Sequence, residues 1–322
     1  MAMSLAPRNT STTAYSFEFT DHRAVASGIG VDFRRGSPSQ QDAAFGNRLN
    51  AAGGVWIGDE PSLWHVADVQ WQSTAGPTAG TPVLATGLRP TFNLDAIGRK
   101  FANCNYEKRE VAGAVVYAGS GSAVDRCAGA FGDQAPVEAQ IALLPSEHVV
   151  LLSGSPEAMD SAIRREGDLH RDVTTTALIR QLAGYPAFTT ASGPSFCRRV
   201  SNAFIGSNAT PALVRKALAT NPPGAAYTGF AFGSRFTNDR ATASIVFRYS
   251  DPQTARVDLP FRVHALRTEV SPQTNRPYAD LVRVDTARAV GQNVVLDVAP
   301  PSSKRLSLYD MWLQLDLAFA RC

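Results

Sequence analysis

The sequence has no apolar run approaching the roughly 18 residues that a membrane-spanning helix needs, so no transmembrane span is expected. Lysine is nearly absent, with four residues, whereas arginine and alanine are abundant, which indicates the codon bias of a GC-rich genome. The net charge is only +3, and no basic run is dense enough for a nucleic-acid face. We therefore expect no nucleic-acid partner.

Motifs that would identify a reaction are also missing. Gly119-Ser120-Gly121-Ser122 is neither a Walker loop nor a dinucleotide fingerprint, and helix capping is its favoured interpretation. Ser153-Gly154-Ser155 is not a GxSxG nucleophile elbow. The five histidines form no HxH or HxxxH pair, and no CxxC occurs, so neither a metal nor a cofactor is expected. A serine–histidine–aspartate hydrolase site assembled in space stays open as an alternative.

The sequence does contain a recurring order of two strands joined by a short turn and followed by a capped helix. Its best copy has strands at 225–236 and 241–250, after which Asp251 and Pro252 suit the start of a helix. Pro260 is predicted to kink or split that helix. The other predicted strand pairs are 137–144 with 147–153, 279–289 with 292–298, 64–71 with 82–88, and 106–110 with 114–118. Helices are predicted at 94–102 and 122–131 after the last two pairs.

This order predicts an α+β protein with antiparallel sheets built from repeated strand–strand–helix units, helices packed on one sheet face, and two similar halves. Segments 141–144 and 149–152 are apolar on both faces, so we expect them to be central and covered twice. The strands near Tyr249 and Val284 are expected to keep one wet face. The predicted domains are a flexible tether at 1–13, a first half at 14–190 and a second half at 191–322.

The first 13 residues, MAMSLAPRNTSTT, lack the apolar core of a signal peptide. Met1-Ala2-Met3 resembles an expression start placed before a mature domain. The polar segment up to Thr13 is typical of a tether that leads away from a membrane anchor, so a lipid anchor upstream is expected.

The four cysteines are Cys104, Cys127, Cys197 and Cys322. Two disulfides are the favoured interpretation, and three pairings are possible. Cys104–Cys127 is preferred because it would close one strand–strand–helix unit, which leaves Cys197–Cys322 to tie the end of the chain to the 190–222 region. Four free buried thiols in a reducing compartment are the alternative.

Aromatic residues in the first third form the candidate ligand or partner surface. They are Trp56, Trp64 and Trp71, together with Tyr15 and Phe17 on an upstream strand that also carries Phe19. If helices left one sheet face uncovered, these side chains could line an apolar groove or contact a partner. Ordinary core packing is the competing interpretation, because large aromatic side chains dominate cores.

The segments VEAQIALLPSEHVVLLSGSPEAMDSAI (137–163) and LSLYDMWLQLDLAFARC (306–322) resemble uncharacterised exported proteins and lipoprotein ectodomains of actinobacteria. The resemblance implies an envelope-facing location and two disulfides, and it implies no activity. The sequence thus favours a non-enzymatic, exported, envelope-associated module that engages an envelope protein or an apolar ligand. A hydrolase and a structural subunit of a surface assembly are the alternatives.

Overall fold

The computed structural model describes most of the chain in segments. They are residues 1–7, 15–52, 63–77, 81–104, 106–119, 140–167, 169–193, 196–198, 200–201, 224–238, 240–271, 274, 276–301, 308–313 and 316–322, without the side chains of 170, 309, 310, 313 and 318. Within them the chain forms twelve strands and seven α-helices, and every strand pair is antiparallel. The predicted α+β class with antiparallel sheet is therefore confirmed. The helix predicted at 122–131 lies outside the described residues.

The described residues divide into two compact units. The first takes its residues from 1–48 and 63–173, and the second from 49–52 and 174–322. This division follows Val173, whereas the sequence placed it at residue 190, so strand 187–192 belongs to the second unit.

The first unit contains seven strands in the order β1-β2-β3-β7-β6-β5-β4. Their bounds are β1 Tyr15–Asp21, β2 Val69–Pro77, β3 Val83–Leu88, β4 Glu107–Val111, β5 Ala114–Ala118, β6 Gln140–Leu144 and β7 Val149–Ser153. Its helices are α1 His22–Gly28, α2 Pro38–Ala51, α3 Leu94–Asn103 and α4 Pro156–Ile163, of which α2 continues past the boundary. Side chains begin three of these helices, since Asp21, Asn93 and Ser155 each accept a hydrogen bond from an N–H in the first turn.

Helices cover both faces of the first unit's sheet. On one face Ile97 and Phe101 of α3 pack in a cluster with Ile141, Leu143, Val150 and Leu152. On the other face Met159 and Ala162 of α4 pack with Ala142, Leu144, Val149 and Leu151. Successive residues of β6 and β7 thus face opposite cores, which confirms that they are covered twice. The expectation that helices lie on one sheet face is wrong, because strands that are apolar on both sides need a helix on each.

The second unit has five strands in the order β11-β12-β10-β9-β8. They are β8 Ala187–Ser192, β9 Gly229–Thr237, β10 Arg240–Arg248, β11 Arg283–Val290 and β12 Asn293–Ala299. Its helices are α5 Val173–Gln181, which begins at the boundary, α6 Pro252–Thr268 and α7 Leu308–Leu313.

Both faces of β10 are buried as well. Val246 packs with Leu178 of α5 and with Leu182, whereas Phe247 on the opposite face contacts the guanidinium of Arg262 in α6. The wet face expected for this strand is therefore absent in its central part, because α5, which the sequence did not predict, covers it. The wet face that was expected for the strand near Val284 is present in β11, most of whose residues are exposed.

Two further expectations differ from the structure. Pro260 lies inside one continuous helix, α6, and does not split it. Of the segment assigned to a flexible tether, Ala2–Leu5 forms a short 3-10 helix, and Leu5 packs in the same cluster as Met159 of α4. Leu5 is only 2% exposed, so the start of the chain is packed, and residues 8–13 lie outside the described part.

Candidate functional site

The predicted aromatic surface is brought together in part, on one face of the β1–β2 pair. Tyr15, Phe17 and Phe19 alternate along β1, and Trp71 of β2 lies opposite Asp21 in the register, so these side chains share a face. The rings of Phe19 and Trp71 stack with centroids 6.4 Å apart and planes inclined by 23°. Both residues are half-buried. We call Phe19 and Trp71 the aromatic pair.

The other members of the predicted surface are buried or lie elsewhere. Tyr15 and Phe17 are 2% and 1% exposed. The Tyr15 hydroxyl donates to the carbonyl of Pro7 at 3.0 Å, and burial raises its pKa above the ordinary value. Trp64 is buried in the cluster that contains Phe101, and Trp56 lies outside the described residues. Of this set, Trp71 is thus the described member that is neither fully buried nor placed elsewhere, and it also packs against the cluster that contains Met159.

A glycine beneath the aromatic pair fixes the position of the Trp71 ring. Gly87 of β3 lies opposite Trp71, and a Cβ atom built on Gly87 would lie 2.2 Å from Nε1 of that indole. No side chain fits in that space, so the indole lies directly on the β3 backbone. The aromatic pair is therefore a preformed feature of the sheet.

A histidine–carboxylate pair lies elsewhere in the first unit. Nδ1 of His65 is 2.6 Å from Oδ2 of Asp42, and Oδ1 of Asp42 accepts from the Val66 N–H at 2.8 Å. Oδ2 of Asp68 accepts from the backbone N–H of His65 at 3.2 Å, and Asp68 is itself paired with Arg89 at 2.5 Å. The carboxylate of Asp42 favours the tautomer with the proton on Nδ1, which leaves Nε2 as the basic nitrogen. The His65 side chain is 38% exposed, so a small molecule can reach it.

Neither a nucleophile nor a metal cluster accompanies this pair in the part of the chain that the structure describes. No described hydroxyl group forms a hydrogen bond with the His65 ring. A search of the described residues also finds no group of three or more His, Cys, Asp or Glu side chains that could hold a metal ion.

The cysteines support the oxidised interpretation in part. Cys197 and Cys322 form a disulfide across a sequence separation of 125 residues, as the sequence predicted. Cys104 is buried, and its predicted partner Cys127 lies outside the described residues. The pairing Cys104–Cys127 thus stays a prediction.

A buried polar network among the described residues of the second unit holds the end of the chain, and the sequence did not predict it. Arg262 is fully buried, and its Nε donates to Oδ2 of Asp258, one helical turn earlier, at 2.6 Å. Its Nη1 donates to the carbonyls of Phe319 and Arg321 at 3.0 and 2.7 Å, and its Nη2 donates to the Ala225 carbonyl at 2.8 Å. We call Arg262 with these partners the arginine clamp. It satisfies main-chain carbonyls that would otherwise be buried without donors.

Further contacts extend the hold on the chain end. Arg321 forms a buried, two-pronged ion pair with Glu269 just beyond α6. The carboxylate of Asp316 accepts from Ser271 at 2.5 Å and from Tyr278 at 2.7 Å. The Tyr227 hydroxyl donates to the Ala320 carbonyl at 2.7 Å, and burial raises its pKa. These groups bind one another and the terminal backbone, so they serve to fix the terminus.

The helices of the described residues include none that is both long and apolar enough to cross a membrane. A scan against models of protein families finds no match. A search of curated proteins finds none either. Among solved structures the chain is similar to TP0453 in its crystal forms I and III, with 8% identity and a TM-score of 0.46 in each case. The similarity covers 97% of both chains for form I and 96% of both for form III. A likeness of this size assigns neither a family nor a function.

Proposed function

We propose that the chain is an exported, non-enzymatic module of the cell envelope that binds a protein partner or an apolar ligand, held at the membrane by a lipid anchor upstream. The observation that carries the proposal is the aromatic pair, two stacked and half-buried rings held on a rigid sheet face by Gly87. Aromatic rings in such a position offer a large contact area at little conformational cost. We also propose that the fold consists of repeated strand–strand–helix units arranged in two similar halves.

The location outside the cytoplasm is supported by the disulfide between Cys197 and Cys322. Structural disulfides persist in oxidising compartments and are rare in the cytosol. The resemblance to exported actinobacterial proteins points in the same direction.

Native mass spectrometry of the protein taken from its source without reductant tests the proposal. We expect a bound lipid-like molecule or an envelope protein, together with the mass of an oxidised Cys197–Cys322 pair. A complex that contains many copies of this chain would favour the structural-subunit alternative. A monomer without any bound molecule or partner would refute the binding function.

A substitution then locates the binding surface. Trp71→Ala removes the larger ring of the aromatic pair and is expected to lower affinity for the recovered ligand or partner at least tenfold, as truncation of a central aromatic contact does. Val290→Ala is the matched control, because Val290 is an exposed apolar residue, 44% accessible, on β11 of the second unit. Equal affinity of both variants would place the surface elsewhere.

A hydrolase is the second candidate function, and the His65–Asp42 pair favours it. An oriented imidazole on a partly exposed side chain can accept a proton from water as the water attacks an activated acyl group. A panel of activated esters would reveal turnover that falls at least a hundredfold in both His65→Gln and Asp42→Asn. Turnover that is absent, or unchanged in these variants, would exclude this pair as the active site.

A further inference from the structure

Several polar contacts attach helix α2 to the first unit. The amide of Gln41 donates to the Phe33 carbonyl at 2.8 Å, Arg48 donates to the Ile29 carbonyl at 3.0 Å, and Asp42 is paired with His65. Over its whole length α2 buries two large apolar side chains, Phe45 and Leu49, which lie one helical turn apart. A helix with so few apolar anchors has a lower local stability than the sheet beneath it and opens more easily.

Of these two side chains, Phe45 rests on a histidine. His22, the first residue of α1, is 1% exposed, and its ring stacks on Phe45 with centroids 5.6 Å apart and planes inclined by 19°. Oε1 of Gln72 lies 2.9 Å from Nε2 of His22, while Nε2 of Gln72 donates to the Thr86 hydroxyl. The imidazole therefore donates from Nε2, and its Nδ1 is left as a buried acceptor. Among the described residues no group forms a hydrogen bond with Nδ1.

The surroundings of His22 suit only the neutral ring. On its own helix, Asp21 caps the first turn and Arg23 carries a charge of the same sign as an imidazolium. The facing residues of β2 and β3, Gln72 and Thr86, are uncharged. The charged groups of α2 and of the segment before it are already engaged: Asp42 with His65, Arg48 with a carbonyl, and Asp32 with Arg34 and Arg35.

A proton added to Nδ1 would therefore place a charge and an N–H in a buried site without an acceptor. Burial lowers the pKa of His22 to about 4, against smaller opposing effects of Gln72 and Asp21. In a state in which α2 has lifted and water reaches the ring, the pKa returns to the ordinary value of about 6.5. The closed state therefore keeps its full advantage above pH 6.5 and loses it as the pH falls towards 4.

We propose that α2 is an acid-responsive lid, in which protonation of His22 displaces Phe45 and lifts the inner face of α2 while the Asp42–His65 pair keeps the helix attached. The Asp42–His65 contact lies about one helical turn from Phe45 and does not involve His22.

Hydrogen exchange of the full chain between pH 7 and 4.5, corrected for intrinsic exchange rates, tests the lid. The protection of α2 amides is expected to fall by up to about tenfold for each pH unit below 6.5. The amides of β10 in the second unit serve as the internal reference and should stay protected, which separates lid opening from global unfolding. Constant protection of α2 across this range, or loss in step with β10, would refute the proposal.

Two variants identify His22 as the responsible group. His22→Gln keeps a polar contact to Gln72 but cannot titrate, so α2 should remain equally protected at pH 7 and 4.5. Gln72→Glu keeps His22 and gives its imidazolium a carboxylate partner, so it should also hold α2 closed in acid. If His22→Gln does not fold, Gln72→Glu alone decides. A decline equal to that of the unaltered chain in either folded variant would overturn the mechanism.

His65→Gln tests the attachment. At pH 4.5 it should leave α2 less protected than in the unaltered chain, because the second contact is then lost as well. Equal protection would refute the tethering role of the Asp42–His65 pair.

Discussion

The absence of a Cβ atom at Gly87 leaves the space that the Trp71 indole occupies. A Cβ at position 87 would overlap the indole nitrogen at 2.2 Å, so the backbone and the ring can coexist only with glycine there. Gly87→Ala is expected to displace Trp71 and to destabilise the first unit by about 1–3 kcal/mol, the usual cost of overpacking. Denaturant unfolding followed by tryptophan fluorescence measures both effects.

The control for this substitution is a glycine-to-alanine change at Gly154, where the neighbouring group is smaller than an indole. At Gly154 a Cβ would meet the Thr81 methyl group at 3.3 Å, which a small shift can relieve, so Gly154→Ala should cost less. In a Trp71→Ala background Gly87→Ala should become nearly neutral, because the clashing ring is gone. A cost that persists in that background would show that the indole is not the cause.

Arg262 concentrates more buried polar contacts than any other residue of the arginine clamp. Arg262→Met keeps the length of the side chain but removes the ion-pair partner of Asp258 and the donor to three buried carbonyls, while Tyr249 and the Ala225 N–H still donate to Asp258. We expect a loss of about 3–5 kcal/mol, the range found when one partner of a buried ion pair is removed. Arg256→Met on the exposed side of the same helix should change stability by less than about 0.5 kcal/mol.

Hydrogen exchange of β10 amides reports the free energy of unfolding of the second unit in both arginine variants. Equal values for Arg262→Met and Arg256→Met would contradict the role assigned to the clamp.

Among the helices, α6 carries an internal proline that its packing overrides. Pro260 is exposed and lies in the middle of α6, where it removes one backbone hydrogen bond, yet the helix continues to Thr268. The buried Ala255, Arg262 and Leu266 lie on both sides of the proline and hold the two halves in line. Pro260→Ala is expected to raise the stability of the second unit by about 1–3 kcal/mol. The β10 amides again give the measurement, Val257→Ala is the near-neutral control, and lower stability of Pro260→Ala would contradict the argument.

Local signals account for the elements that the sequence predicted. The predicted start of α3 was residue 94, and Asn93 caps the helix there. The apolar runs of β6 and β7 indicated strands that are covered on both faces, as they are. The sequence did not predict α2 or α5, because α2 contains only two large apolar residues, Phe45 and Leu49, and α5 buries few of its residues. Amphipathic patterning, the main sequence signal for a helix, is weak in both.

The arginine clamp could not be predicted for a different reason. Asp258 and Arg262 are four residues apart on a helix, a spacing that signals an ion pair, but such pairs are usually on the surface. Burial of this pair depends on the carbonyls of Ala225, Phe319 and Arg321, which are distant in sequence and carry no residue-specific signal. Similarly, the pairing of Asp42 with His65 joins residues 23 positions apart that fit no motif.

Two devices, one covalent and one polar, hold the end of the chain in the second unit. The Cys197–Cys322 disulfide closes a loop across 125 residues, for which chain entropy alone gives about 4–5 kcal/mol of stabilisation. The arginine clamp holds Phe319 and Arg321 in the same terminal segment by hydrogen bonds. The serine double variant Cys197→Ser/Cys322→Ser should therefore unfold at lower denaturant concentration while its chain end stays docked.

The disulfide and the clamp should be coupled energetically, because both limit the motion of the same terminal segment. Once the clamp is lost in Arg262→Met, the disulfide alone limits how far the chain end can move. Removing both should then cost more than the sum of the separate losses, by about 0.5–3 kcal/mol, the range of interaction energies for residues that share a structural element. A double-mutant cycle on β10 amide exchange measures this difference. Strict additivity would show that the disulfide and the clamp stabilise different parts of the second unit, and that the terminal segment is not one cooperative element.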